Sequence, residues 1–208
     1  MTKKILLAIA VAIVSLVAAP AFAADGPGTK VVRQANETIQ GLLKEKAAPG
    51  SDAEKKLAAK VTTSVRDFLD VDMLGQRALV DHWKDIPAAK QKELLDTLRA
   101  LIEDNYVKGL RANLDYTIDY TGESPDKDSK DGQTLVTTVI STKRKGRPYQ
   151  IHVDYVLVSE GGKLKCYDVK TDGVGLVENY RAQFNKIIDK DGVDGLIAKM
   201  KKKRAQGS

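Results

Sequence analysis

The chain has almost no cysteine, few aromatics and only two histidines, so most catalytic and metal chemistries have little to build on. Its one cysteine, Cys166, cannot form an internal disulfide. Set between Lys165 and Tyr167 in a strand-like run, with no basic cluster or helix start to lower its pKa, it reads as a small buried residue rather than a nucleophile. His82 and His152 lie far apart, without a cysteine or carboxylate at a ligand spacing, so no metal site is expected. No G-x-S-x-G, phosphate loop or dinucleotide fingerprint occurs. Asp154 and Asp168 sit in strand-like runs with nothing beside them that would tune an acid and base pair.

Long hydrophobic runs are also lacking beyond the first residues. Lys3 and Lys4, the apolar run from Ile5 to Ala18 and the small-residue site Ala21-Phe22-Ala23 have the three parts of a secretory signal. That run is shorter than the roughly 20 residues that span a bilayer. Cleavage after Ala23 is expected, leaving residues 24–208 as a single exported domain. Loss of Lys3 and Lys4 takes the basic count from 34 to 32 against 28 acids, a mature charge of +4. A chain of that size buries roughly 70% of its unfolded surface without disulfides. Nucleic acid is not an expected partner at an exported address.

Periodicity divides the mature chain into helices, a sheet and helices. Val31, Val32, Ala35, Ile39, Leu42 and Leu43 recur at the helical period until Pro49-Gly50. Ser51 or Asp52 caps a second helix carrying Leu57, Val61, Val65 and Phe68. A short helix is expected around Met73 to Val80, and Pro87 opens a long one with Leu94, Leu95, Leu98, Leu101, Ile102 and Tyr106 on one stripe. After Leu110 the period falls to two: Leu114, Tyr116, Ile118 and Tyr120 alternate with polar residues. A charged loop is expected over Gly122 to Gly132, then strands at Leu135 to Thr142, Tyr149 to Val158 and Leu164 to Val169, joined by turns at Gly146 and Gly161-Gly162. Short connections imply an antiparallel, four-stranded, twisted sheet. A helix through Val177, Tyr180, Phe184 and Ile187 breaks at Gly192 before a last one. The fold class is α+β.

A sheet twisted against helices either closes its core or leaves a pocket between the layers.

Two blocks carry a family resemblance. Asp172 to Phe184 reads D-G-V-G-L-V-E-N-Y-R-A-Q-F, and Phe68 to Trp83 reads F-L-D-V-D-M-L-G-Q-R-A-L-V-D-H-W, followed by Pro87 and Gln91. These resemble the E-G-V-S-L-V-x-N-Y-R-S-Q-F and F-D-F-x-x-M-A-R-x-x-L-G-x-x-W signatures of the MlaC family of periplasmic phospholipid-binding proteins, also called toluene-tolerance auxiliary proteins. The likeness runs from about Val31 to Leu196. Val80 stands where the family often has glycine, Leu164 where it has tryptophan, and Gly175 and Ala182 where it has serines.

The resemblance implies a fold similar to the nuclear-transport-factor or cystatin-like class, with N-terminal helices, the sheet and C-terminal helices enclosing a lipid cavity. It implies a bound phospholipid with no cofactor, a place in the periplasm, transient membrane contact, and a role in maintaining outer-membrane lipid asymmetry. The implied partners are an inner-membrane ABC transporter and an outer-membrane lipoprotein bound to a porin. Tyr106 and Val174 map to cavity-lining positions. Leu98, Ile102, Val139, Ile151, Val153 and Leu176 are further wall candidates from apolar pattern alone. Lys143, Arg144, Lys145 and Arg147 crowd one turn and are candidates for partner or headgroup docking, or a solvated turn. A hopanoid carrier, or a small-molecule enzyme on the same fold as in steroid isomerases, are the alternatives.

Overall fold

The computed structural model describes residues 25–108, 115–125 and 132–206. The expected signal segment, Leu110 and Leu114 lie outside the described residues.

Helix α1 (Pro27–Lys44) opens with proline in its first turn, where a missing N–H costs nothing. Its Gly26 cap offers no side chain, and the cap comes from across the fold. The Glu123 carboxylate accepts from the backbone N–H groups of Gly28 (3.1 Å) and Thr29 (2.7 Å) and from the Thr29 hydroxyl (2.8 Å). Helix α2 (Asp52–Phe68) is capped by Ser51, which accepts from Glu54 N–H at 3.2 Å, and it buries Leu57, Val61, Val65 and Phe68 as their spacing predicts. Asp70 caps α3 (Val71–Ala78) by accepting from Met73 N–H at 2.9 Å. That cap starts α3 two residues before Met73. Helix α4 (Ala88–Lys108) follows Pro87 and buries Leu94, Leu98, Leu101 and Ile102.

The sheet runs β1 (Tyr116–Pro125), β2 (Thr134–Arg144), β3 (Arg147–Glu160), β4 (Lys163–Thr171) and β5 (Val174–Gly175), antiparallel and in sequence order. It has five strands, not four. The extra one is only two residues long, too short for any alternation to show in the sequence. It forms because Asp172 (φ 48) and Gly173 (φ 86) both take the left-handed conformation of a tight hairpin turn. The expected charged loop also starts later than Gly122. A bulge between Tyr120 and Gly122 resets the register, and β1 continues to Pro125, turning Glu123 toward α1.

Helix α5 (Leu176–Ala205) is broken at Gly192, whose φ of 69° is non-helical, as the glycine break predicts. At its start the buried Asp168 carboxylate accepts from Val177 N–H at 3.1 Å. A Cβ on Gly175 would lie 2.5 Å from that carboxylate, so a larger residue at the strand-to-helix corner would make the Asp168 side chain shift. The link between α2 and α3 is tied to β4 by Asp70 N–H donating to the Cys166 carbonyl at 2.8 Å. The core beneath these contacts centres on Val32, Val61, Leu74, Leu94, Leu98, Val136, Val156 and Leu157.

Candidate functional site

Between α1, α2, α4 and the sheet lies a cavity of about 530 Å³. Its sheet wall follows from strand register. Ile118 pairs with Ile140 and Ile140 with Ile151, while Tyr155 pairs with Val169. In a pleated sheet such rows face one side. Ile39 and Leu43 of α1, Val65 and Phe68 of α2, and Asn105 and Tyr106 of α4 complete the enclosure. The polar side chains on the wall are few. Asn36 is one, and its amide donates to Tyr120 Oη at 3.2 Å and Tyr155 Oη at 3.3 Å, fastening α1 to the sheet. Arg33 adds a second fastening, its guanidinium 4.0 Å above the Tyr120 ring.

Of the lining residues, Val65, Phe68, Leu69, Val153 and Tyr155 are buried, and Asn105 and Tyr106 towards the end of α4 are exposed. Tyr106 is 36% exposed, yet burial among protein atoms pushes its hydroxyl up to about 12, with smaller contributions from Cys166, Tyr180 and Tyr116. The two facts agree if the open part of the ring looks onto the cavity void while little bulk water reaches it. Tyr155 is likewise raised by burial. Both phenols are neutral at physiological pH, so the wall carries no charge from them.

Of the eight wall candidates, the structure brings Tyr106, Ile151 and Val153 together on the cavity. Leu98 and Ile102 are buried on the core side of α4 and do not reach it. Val139 pairs with His152 one residue out of phase with Ile140, which puts it on the opposite sheet face. Leu176 packs against the core at the start of α5. Val174 is 53% exposed, but it sits in a register row with Thr171 and Val153, at the margin of the wall-bearing face. Pattern analysis did not single out Asn36, Asn105, Ile118, Ile140 or Val169 as wall residues. For Ile118 and Ile140 the signal is their register row with Ile151, which requires the strand pairing.

Lys143, Arg144, Lys145 and Arg147 are all exposed at the β2–β3 tip, where Lys145 (φ 51) and Gly146 (φ 76) make the two-residue turn. The tip directly continues the strands that carry Thr142 and Ile151 of the cavity wall.

Cys166 is fully buried and its thiol is pushed up by burial and by Asp168. Among the described residues there is no group of three His, Cys, Asp or Glu side chains that could hold a metal ion. Among the same residues no helix is long and apolar enough to cross a membrane.

The family model for the MlaC protein matches residues 33–202. The chain belongs to the MlaC family. It is 23% identical over 147 residues to the intermembrane phospholipid transport system binding protein MlaC of Haemophilus influenzae, covering 70% of this chain and 67% of that one. The MlaC-family fold described here is similar to that of a phospholipid-binding protein from Ralstonia solanacearum solved in complex with a phospholipid. The TM-score is 0.67 at 23% identity, over 86% of this chain and 97% of the other.

The cap on α1 gives the site a pH dependence. Burial alone would raise the Glu123 carboxyl, but the Thr29 N–H and hydroxyl and the Gly28 N–H outweigh it and hold the group below the usual carboxylate range. A depressed folded-state pKa contributes stability that is fully present above the unfolded value of about 4.3 and is lost as pH falls through the folded value. Acidification below about pH 4 should therefore loosen α1, which carries Asn36, Ile39 and Leu43 of the wall. Melting curves of the wild type and Glu123→Gln between neutral pH and pH 3 check this. The wild type should start higher and lose more on acidification, and parallel curves would mean that the carboxylate contributes nothing.

Proposed function

We propose that this chain is an exported, periplasmic phospholipid carrier that shields acyl tails in the cavity and passes the lipid between membrane-bound partners without changing a covalent bond. The observation that carries this reading is the cavity itself, lined mainly by aliphatic and aromatic side chains on four strands and three helices. Tyr106, Ile151 and Val153 are its tail contacts, with Val174 at the margin. The Haemophilus influenzae intermembrane phospholipid transport system binding protein and the Ralstonia solanacearum structure with its bound phospholipid support the ligand class.

The lining suits acyl tails, since each methylene buried against it contributes about 0.8 kcal/mol gross. Of the walls, α1 is held to the sheet by discrete polar contacts from Glu123 and Asn36.

The proposed partners are an inner-membrane ABC transporter and an outer-membrane lipoprotein-porin complex, and the proposed outcome is maintained outer-membrane asymmetry. Export predicts a mature N-terminus at or near Ala24, and N-terminal sequencing of the native protein that found Met1 or Thr2 would refute it. Carriage is tested by transfer of a labelled phospholipid between donor and acceptor vesicles kept apart by a dialysis membrane the protein crosses. Transfer should rise in proportion to protein. No acceleration over the protein-free control would defeat the reading.

A further inference from the structure

One face of the β2–β3 hairpin changes character along its length. Every second residue of an antiparallel pair shares a face. Starting from the wall pair Ile140 and Ile151, the next pair on that face is Thr142 and Tyr149, and the last is Arg144 and Arg147. The arginines therefore stand on the cavity-bearing face, four residues or roughly 13 Å beyond the aliphatic wall. Lys143 pairs with Pro148 and belongs to the opposite face, with Asp115 4.0 Å away, and Lys145 is in the turn.

Two arginines directly across a ladder repel each other and destabilise the pair. No carboxylate among the described residues forms an ion pair with either. Arg144 instead lies 5.5 Å from the centre of the Tyr149 ring, on the same face, which orients its guanidinium beside the cavity end of the hairpin. An anion between the two forks would convert the repulsion into attraction, and the planar guanidinium matches a phosphodiester in a way an ammonium does not.

We infer that Arg144 and Arg147 form a clamp for the phosphodiester of the lipid whose acyl chain occupies the cavity. The face then reads, from the inside outward, as aliphatic wall for the tail, Thr142 and Tyr149 at the level of the lipid's ester region, and arginine pair for the phosphate. This rests on the reading of the cavity as an acyl-chain site. The two lysines beside the clamp take no part in it.

The test compares R144Q/R147Q with K143Q/K145Q, using a phosphatidylglycerol bearing one pyrene-labelled chain and the diacylglycerol with the same two chains. Removing the arginines should weaken phosphatidylglycerol binding by about tenfold or more while leaving diacylglycerol binding unchanged. The lysine variant should bind both as the wild type does. Equal binding of phosphatidylglycerol by the arginine variant and the wild type overturns the clamp. So does equal loss of both lipids, which would mean a damaged wall, and so does a loss in the lysine variant as large as that in the arginine variant, which would mean a diffuse field. Flotation with vesicles of phosphatidylcholine and phosphatidylglycerol at three to one supplies a further arm. If the arginine variant loses only vesicle binding, the pair serves membrane docking and the clamp is overturned. A wild type that binds neither labelled lipid would defeat the carrier reading itself, an outcome distinct from all of these.

Discussion

Ile151→Glu should leave the protein folded and empty. Ile151 is half-buried in the wall row with Ile140 and Ile118, so its side chain borders the void rather than the close-packed core. Without lipid, water entering the cavity solvates the new carboxylate and the fold loses little. With lipid, the same carboxylate must lie unpaired against an acyl chain, which costs several kcal/mol, or take up a proton. Either way affinity falls by at least about a hundredfold, since each 1.4 kcal/mol is a factor of ten. The check is lipid phosphorus in the purified variant together with its circular dichroism. A folded variant with the wild-type complement of phosphorus would remove the cavity from the account.

Leu98→Ala should do the reverse. Leu98 is fully buried in the core, close to Gly75 of α3, and is absent from the cavity wall. Truncating such a leucine loses its transfer free energy and leaves a void, a cost of about 2–5 kcal/mol. Denaturant unfolding should show that loss, and the folded protein should still carry its lipid. A variant with undiminished stability, or one that is stable but empty, would place Leu98 on the wall instead.

The pair of substitutions marks where the sequence was legible. Helical stripes identified which residues of α2 and α4 point inward, because a 3.6-residue period only requires knowing one helix at a time. The stripe on α4 made Leu98, Ile102 and Tyr106 equivalent. What separates them is which neighbour lies opposite: core for the first two, void for Tyr106. In the sheet, alternation divides each strand into two faces but does not say which is inward, and a slip of one residue exchanges them. That is why Val139 was grouped with Ile151 although the register puts them on opposite faces. Cross-fold caps were hidden for a similar reason. Glu123 reaches α1 from a strand nearly a hundred residues away, and Asp168 reaches the start of α5 from β4, so no local spacing announces either. The signature Asp172 to Phe184 was legible as a family mark. At Gly175, where this chain departs from the signature's serine, the missing Cβ leaves room for the Asp168 carboxylate.

Electrostatics were legible as a cluster and not as an arrangement. Four basic residues within one turn are evident in any reading of the chain, but the division into two arginines on the cavity face, one lysine on the other face and one in the turn depends on pairing through Arg144 and Arg147.

Native mass spectrometry of the protein, purified from the cell envelope without detergent, tests the central claim most directly. The account predicts a species heavier than the mature chain by the mass of one phospholipid, released as an intact diacyl lipid on activation and missing from Ile151→Glu. A wild-type spectrum containing only the unliganded chain, or a bound mass that survives Ile151→Glu undiminished, would contradict it.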